Sequence, residues 1–430
     1  MAWFHSNTLF VSASLFCLPV LVLCAVLCLP LLTFIILGLY FFAWVTYYFM
    51  AQTDAEFNLP YNPTRVIKIN IATFSIIFGW VTYLPIIVSY LYWRYWELGT
   101  RRFKEIVSVD IPYSEHSKLD VYHPTKKTLH GSPIIIFVYG GAWSSGSKLI
   151  YTTLANTLRE LGYVVVVPDY RKYPQVKIEG MYQDIRDAIK WTHRHAADIN
   201  GDPELIFIMG HSAGAQLTAQ VVLSDIIEQA KYNESIQSRE SPYVSQKHDP
   251  SMKMQGNEGH MISDSNQHQP RDFLPLVEGI LLFSGIYDIG AHLVHETSRG
   301  VEKVSAMSRA MGSSTEGYLK NSPLHLIEKN EKLFSDSDDL LDLWPRILLL
   351  HGQKDGTVGM DQSANMFNTL GKLFSSERRQ ELDVRMRLYK RMAHEEPVIS
   401  LMLNKFAKKN DQNLLLKDIQ EFIDLPQDES

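Results

Sequence analysis

The sequence has almost no cysteine, and its few cysteines are confined to one stretch. Its 430 residues include three, Cys17, Cys24 and Cys28, all inside an N-terminal apolar segment. The remainder of the chain can therefore form neither a disulfide nor a thiolate metal site. A reducing compartment is the simplest interpretation.

The sequence also lacks a basic patch. Its formal net charge is −6, and no lysine- and arginine-rich stripe appears along it. The charge distribution therefore argues against a nucleic-acid partner. His292, His295 and Glu296 have helical spacing, but no further ligand from another part of the sequence is seen to converge on them, so neither a metal nor a cofactor is expected.

Charge is missing altogether from Ser6 to Thr53. At about 1.5 Å per helical residue this run is roughly 60 Å long, about twice a hydrocarbon core. We therefore predict a membrane anchor over residues 1–104, with spans at about 9–28 and 31–50 separated near Pro30. Residues 69–93 are a third candidate span, so the number stays at two or three. The segment does not fit a secretory signal peptide, because no Lys or Arg precedes the apolar run and the run is too long.

Basic residues follow the last candidate span closely. Arg94, Arg101, Arg102 and Lys104 lie there, whereas no Lys or Arg precedes Arg65. The positive-inside rule then places the part after the spans on the cytosolic side. Aromatic residues at the same end form a possible interfacial belt: Tyr90, Tyr92, Trp93, Tyr95 and Trp96.

Residues 105–425 alternate strand-like apolar runs with amphipathic stretches, the pattern of a mostly parallel sheet with helices on both faces. A polar stretch, 228–271, is predicted to be a disordered insertion, and 288–343 a small cap. Terminal helices are expected between 397 and 423. The predicted strands are 119–123, 134–139, 163–168, 205–209, 279–283, 347–350 and 384–389.

The sharpest motif is Gly210-His211-Ser212-Ala213-Gly214. A G-x-S-x-G match alone is weak, but here an apolar strand runs into it and a small-residue helix follows. That strand–turn–helix context is what a nucleophile elbow requires, with Ser212 as the nucleophile. An ordinary serine in a glycine-rich turn is the alternative.

A second glycine-rich loop follows an earlier strand and reads Tyr139-Gly140-Gly141-Ala142-Trp143. Such a loop can present backbone N–H groups to a developing oxyanion. We predict Gly141 and Ala142 as donors, joined by the N–H of Ala213. Trp143 then supports the loop or lines the pocket. Gly140 and His211 are also expected to line the pocket. A simple β-turn is the alternative.

Two further candidates follow the last two strands. Asp355 lies in His351-Gly352-Gln353-Lys354-Asp355, and His394 is the only histidine after the final strand. The chain order Ser, Asp, His is the order of the α/β-hydrolase fold. His394 would accept the Ser212 proton while Asp355 orients the imidazole. Asp288 is a rival acid.

Four segments together resemble the esterase branch of α/β hydrolases that includes isoprenylcysteine alpha-carbonyl methylesterases and feruloyl-esterase-like enzymes. They are YGGAWSSGSK, PDYRKYPQ, GDPELIFIMGHSAGAQ and HGQKDGTV, and the segment FSGIYDIGAHLVHETSRGVEKVSAM is similar to the cap of those enzymes. The resemblance implies an integral protein of the endoplasmic reticulum or Golgi that demethylates prenylcysteine methyl esters. Such a lipid-like substrate partitions into the bilayer, where an anchored enzyme meets it.

Other interpretations remain open. Within the enzyme class, a steryl-acetate or general short-acyl esterase comes next, followed by an arylformamidase. From a different class, a catalytically dead hydrolase could serve as a membrane scaffold, although such proteins usually lose the triad that this chain keeps.

Overall fold

The computed structural model describes residues 2–50, 59–125, 128, 131–240, 272–373, 382–403 and 410–424. The chain divides into two compact units. The first consists of Met1–Tyr83 and Glu296–Ala306, and the second of Leu84–His295 and Met307–Ser430.

Helices account for most of the described chain outside the sheet. Their bounds are α1 Ala2–Met50, α2 Pro63–Leu91, α3 Gly99–Ile106, α4 Thr152–Glu160, α5 Ile178–Arg194, α6 Ala213–Glu240, α7 Ile289–Arg299, α8 Met307–Ala310, α9 Thr315–Lys320, α10 Pro323–Lys329, α11 Glu331–Asp336, α12 Asp338–Asp342, α13 Asp361–Leu373, α14 Glu396–Met402 and α15 Asn410–Ile423.

Eight strands within the described ranges form one sheet in the second unit. They are β1 Val107–Pro112, β2 Lys118–Tyr122, β3 Ser132–Val138, β4 Val164–Asp169, β5 Gly201–His211, β6 Gly279–Phe283, β7 Arg346–Gly352 and β8 Val384–Tyr389. Their order across the sheet is β1-β2-β4-β3-β5-β6-β7-β8. β1 and β2 pair antiparallel with their neighbours, and the pairings from β4 through β8 are parallel.

The buried strands explain why the sequence predicts this sheet well. β3, β4 and β6 are continuously apolar and buried, as strands covered on both faces should be. All seven predicted strands are confirmed within a few residues, and the predicted mostly parallel α/β class with them. β1 was missed because it is an edge strand in which only Val107 is buried.

In the first unit, α1 runs continuously from Ala2 to Met50 and contains Pro30. The predicted break near Pro30 is therefore wrong, because proline removes one helical hydrogen bond without ending the helix here. α1 and the start of α2 pack through a cluster of Ala43, Tyr47, Val66 and Ile69. Asn70 Nδ2 on α2 adds a hydrogen bond to the Leu39 carbonyl at 3.0 Å.

One stretch of the described helices, Val22–Met50, is long and apolar enough to cross a membrane by length and composition. The third predicted span, 69–93, overlaps α2 and the π-helical turn Tyr92–Glu97 that follows it.

The first part of the predicted disordered insertion is helical instead. α6 continues to Glu240, so residues 228–240 are helical, and 241–271 lie outside the described residues. The helix persists because its polar end still packs: the Tyr232 ring lies 5.7 Å from the Phe273 ring, and Lys231 bonds to Asn330. The predicted cap contains the short helices α7 to α12, and its residues 296–306 belong to the first unit.

Candidate active site

Ser212 lies in a strained turn between β5 and α6. Its φ is +53°, a left-handed value that is uncommon for residues other than glycine. Gly210 and Gly214 make the turn possible: a Cβ on Gly210 would lie 2.6 Å from Ala215 Cα, and one on Gly214 would lie 2.1 Å from the Val138 carbonyl oxygen. The turn is further fixed because the Ser212 N–H donates to the Phe283 carbonyl at 2.8 Å.

His394 is brought to Ser212 by the loop that follows β8. Its Nε2 lies 2.9 Å from Ser212 Oγ, although the two residues are 182 positions apart in sequence. Both side chains are largely buried. The distance suits direct proton transfer between the hydroxyl and the imidazole.

Asp355 completes the arrangement from the loop after β7. Its Oδ2 lies 2.7 Å from His394 Nδ1, and its Oδ1 accepts the N–H groups of Thr357 and Val358 at 2.9 and 2.8 Å. Burial alone would raise the pKa of Asp355. Hydrogen bonds from His351, His394 and the Val358 N–H outweigh burial and hold that pKa well below its usual range.

His351 is a site residue that sequence reasoning missed. Its Nε2 lies 3.1 Å from the Val358 carbonyl and 3.4 Å from Asp355 Oδ2, and its Nδ1 lies 2.8 Å from Ser363 Oγ. Since the carbonyl only accepts, Nε2 carries the proton and Nδ1 accepts from Ser363. The only signal in the sequence was its position at the end of β7, four residues before Asp355.

The loop after β3 has an unusual backbone. Gly141, Ala142 and Trp143 have φ values of +133°, +50° and +59°. Gly140 packs tightly under this loop, because a Cβ there would lie 2.9 Å from Ser212 Cβ. The loop and the nucleophile turn are therefore in direct contact.

Trp143 is fully buried and is fixed by a network that the sequence did not reveal. Its Nε1 donates to Gln216 Oε1 at 2.9 Å. Gln216 Nε2 in turn donates to Tyr182 OH and to the Asn321 carbonyl, both at 2.9 Å. The glycine-rich loop is thus connected to α5, to α6 and to the segment before α10.

Tyr139, the first residue of this loop, is held through both its carbonyl and its side chain. Tyr170 OH donates to the Tyr139 carbonyl at 2.8 Å, and Tyr139 OH bonds to Asp169 and accepts from Lys172. Burial and the neighbouring Tyr170 and Asp169 raise the pKa of Tyr139, so its hydroxyl stays protonated and neutral.

His211 and Ala213 lie on either side of Ser212 in the nucleophile turn. The contact that His211 makes was not predicted from the sequence. Its Nε2 lies 3.0 Å from the His394 carbonyl oxygen rather than facing an open pocket. Asp288, the rival acid, lies near His325 at 3.6 Å and caps the Ala291 N–H at 2.9 Å. The carboxylate that bonds to His394 Nδ1 is that of Asp355.

This arrangement has the parts that acyl transfer needs. A hydroxyl lies beside an imidazole, the imidazole is oriented by an ionised carboxylate, and a loop rich in backbone N–H groups lies against the nucleophile turn. All of them come from loops at the carboxyl ends of β3, β5, β7 and β8, the edge where α/β sheets place their sites.

Among solved structures, the chain is similar to esterase B from Lactobacillus Rhamnosis (HN001). The TM-score is 0.52 at 16% sequence identity, and the match covers 84% of this chain and 97% of that one. At this identity the likeness establishes the fold alone. The second unit therefore has the α/β-hydrolase fold.

Among curated proteins, the chain resembles two from Arabidopsis thaliana. It is 26% identical over 273 residues to a probable isoprenylcysteine alpha-carbonyl methylesterase, ICMEL1, a match that covers 63% of this chain and 48% of that protein. It is 27% identical over 270 residues to the isoprenylcysteine alpha-carbonyl methylesterase ICME, covering 62% of this chain and 53% of that protein. The chain thus spans about half the length of these relatives. The BD-FAE family model matches residues 119–370, which is more than half of the chain, and the chain therefore belongs to the BD-FAE family.

Proposed function

We propose that this chain is a serine carboxylesterase in which Ser212, His394 and Asp355 form the catalytic triad. The observation that carries the proposal is the continuous contact from Ser212 Oγ through His394 to Asp355, at 2.9 and 2.7 Å. A catalytically dead scaffold would not need all three groups in this geometry.

The first half of the reaction forms an acyl-enzyme. Ser212 Oγ attacks the ester carbonyl carbon while its proton passes to His394 Nε2. The C–O bond to the alcohol then breaks, and His394 returns the proton to the departing alkoxide. Asp355 remains ionised throughout and stabilises the transient imidazolium, as its lowered pKa requires.

The oxyanion of the tetrahedral intermediate needs N–H donors. We assign this role to Gly141, Ala142 and Ala213. None of their N–H groups donates in the hydrogen bonds found among the described residues, and Ala213 opens α6, where helical N–H groups have no partner within the helix. Trp143, tied to Gln216, would hold the loop in place, and Gly140 would let it lie against the nucleophile.

The second half of the reaction hydrolyses the acyl-enzyme. A water molecule loses a proton to His394 as its oxygen attacks the acyl carbon, and the bond from that carbon to Ser212 Oγ then breaks. The proton returns from His394 to Ser212 Oγ, so the enzyme is regenerated and one carboxylic acid and one alcohol are released. No cofactor or metal takes part in this scheme.

The substrate we favour is a prenylcysteine methyl ester, and two observations support it. The two Arabidopsis proteins are named as isoprenylcysteine methylesterases. The apolar helix Val22–Met50 also suits an enzyme whose lipid-like substrate resides in a membrane. On this reading the protein is integral to the endoplasmic reticulum or Golgi, with its catalytic unit facing the cytosol.

The test compares detergent-solubilised wild type with Ser212→Ala on three substrates: a prenylcysteine methyl ester, a steryl acetate and a short p-nitrophenyl ester. We expect S212A to lose hydrolysis of every ester that wild type cleaves, by a factor on the order of 10⁴ or more, because the nucleophile is gone. The relative kcat/KM values then rank the substrates. Equal rates in wild type and S212A would contradict the proposal, and a preference for the steryl acetate would replace the favoured substrate.

A further inference from the structure

His211 joins the residue beside the nucleophile to the residue that carries the base. It is the last residue of β5 and directly precedes Ser212. Its side chain is buried, and its Nε2 lies 3.0 Å from the backbone carbonyl oxygen of His394, 183 positions away in sequence. The two imidazole rings are 5.0 Å apart between centroids.

The surroundings decide which nitrogen of His211 carries the proton. A carbonyl oxygen only accepts, so Nε2 must be the protonated nitrogen and the donor. Nδ1 is buried and has no hydrogen-bond partner among the described residues, which fits the unprotonated nitrogen of a neutral ring. Burial also lowers the pKa of His211, which favours the same neutral form.

The topology shows why this contact matters. β5 and β8 are not neighbours, because β6 and β7 lie between them. At about 4.8 Å per strand, the loop after β8 must reach back roughly 14 Å to bring His394 to Ser212. It passes so close to Gly352, at the end of β7, that a Cβ there would lie 2.1 Å from the Met392 carbonyl oxygen.

We infer that His211 is a positioning residue for the proposed hydrolysis, whose Nε2–H holds the His394 carbonyl and thereby sets the imidazole of His394 against Ser212 Oγ. The inference rests on the proposed function. It replaces the expectation that His211 lines the pocket, since the ring donates to the backbone of the loop that carries His394. A shift of about 1 Å between reacting groups costs roughly 10²-fold in rate, so one well-placed hydrogen bond can govern kcat.

Two amide variants test the donor's position. Glutamine at 211 places an Nε2–H₂ donor near the place of the histidine Nε2, whereas asparagine is one methylene shorter and places its donor near Nδ1. Neither side chain is charged and both are polar, so His211→Gln and His211→Asn differ mainly in reach. Should H211N fail to fold, H211M fills the space without a donor and takes its place with the same expectation.

The measurements are kcat and KM on the p-nitrophenyl ester, with active sites counted by a fluorescent alkylphosphonate that labels Ser212. We expect kcat per labelled site to fall about 10- to 100-fold in H211N, with KM changed by no more than about twofold, because orientation and not binding is lost. H211Q should restore most of that loss.

The outcomes separate the possibilities. If His211 merely supported the fold, H211N would have fewer labelled sites and a lower melting temperature, but each labelled site would turn over at the wild-type rate. That result, or equal kcat per site in H211Q and H211N, would overturn the inference while leaving the esterase proposal intact. A wild type that neither hydrolyses the ester nor takes up the phosphonate would overturn both.

Discussion

At Asp355, burial and hydrogen bonding act in opposite directions on one carboxylate. Burial favours the neutral acid, whereas donors from His351, His394 and the Val358 N–H favour the anion, and the donors prevail. The carboxylate is therefore held ionised at a pH well below that at which an ordinary aspartate becomes protonated.

Replacing Asp355 with asparagine should show how much the carboxylate contributes by orienting the His394 imidazole, because asparagine fills the same buried space. Asparagine would offer an N–H to His394 Nδ1 and so favour the wrong tautomer, with a proton on the nitrogen that must accept one. We expect kcat on the p-nitrophenyl ester to fall by a factor on the order of 10⁴. The D355N protein itself should remain folded at neutral pH.

The same variant has a pH signature in stability. Because the pKa of Asp355 is lower in the folded chain than its unfolded value of about 3.9, its contribution to stability is present above that pH and is lost as pH falls further, toward the folded pKa. The melting temperature of wild type should therefore approach that of D355N as the pH is lowered from about 4 toward 2. A difference between the two that does not change with pH would contradict this account.

At the scale of elements, the sequence predicts those features that depend on the pattern of neighbouring residues. Ser212, Asp355 and His394 each follow a strand whose apolar run is visible in the sequence, so their convergence at one sheet edge could be anticipated. The contacts of Gln216 with Trp143 and of His211 with the His394 carbonyl join positions 73 and 183 residues apart. No local periodicity encodes such pairs.

The first strand and the end of α6 show the same limit. β1 pairs at the edge with an irregular register between Ser108 and Ile111, so it has neither an apolar run nor a regular alternation. The end of α6 looked like a polar insertion because the ring that covers Tyr232 belongs to Phe273, more than 30 residues further along. In both places, tertiary packing decides the structure.

The approach of α6 to β3 gives an element-scale prediction. Gly214 lies where its missing Cβ would be 2.1 Å from the Val138 carbonyl oxygen and 2.6 Å from that of Tyr139. Gly214→Ala must therefore push the start of α6 away from the glycine-rich loop, at a cost of about 1–3 kcal/mol in the free energy of unfolding. The rate of Ser212 labelling by the phosphonate should fall with it.

Gly371 provides the matched control. It lies in α13, where a Cβ would meet nothing within 4 Å. Gly371→Ala should be neutral or stabilise by roughly 0.5–1 kcal/mol, since alanine is the better helix former. If chemical denaturation shows that both variants lose the same free energy of unfolding, the close approach of Gly214 to the β3 carbonyls is not the reason for glycine at that position.

At the scale of the whole molecule, the distribution of cysteine offers a direct test of membrane insertion. All three cysteines lie in α1, and Cys24 and Cys28 are exposed on the surface of that helix. In water, exposed thiols react readily with a charged maleimide. In a bilayer, the same thiols would face hydrocarbon that the reagent does not enter.

We therefore expect a charged maleimide to leave wild type unlabelled in intact microsomes and to label it after denaturation in detergent. A cysteine-free background carrying Lys329→Cys, on the exposed side of α10, reports the side on which the catalytic unit lies. Because sealed microsomes expose their cytosolic face, that thiol should label without permeabilisation if the positive-inside argument holds. Labelling of Lys329→Cys only after permeabilisation would place the catalytic unit in the lumen, and rapid labelling of Cys24 and Cys28 in intact membranes would contradict insertion of α1 itself.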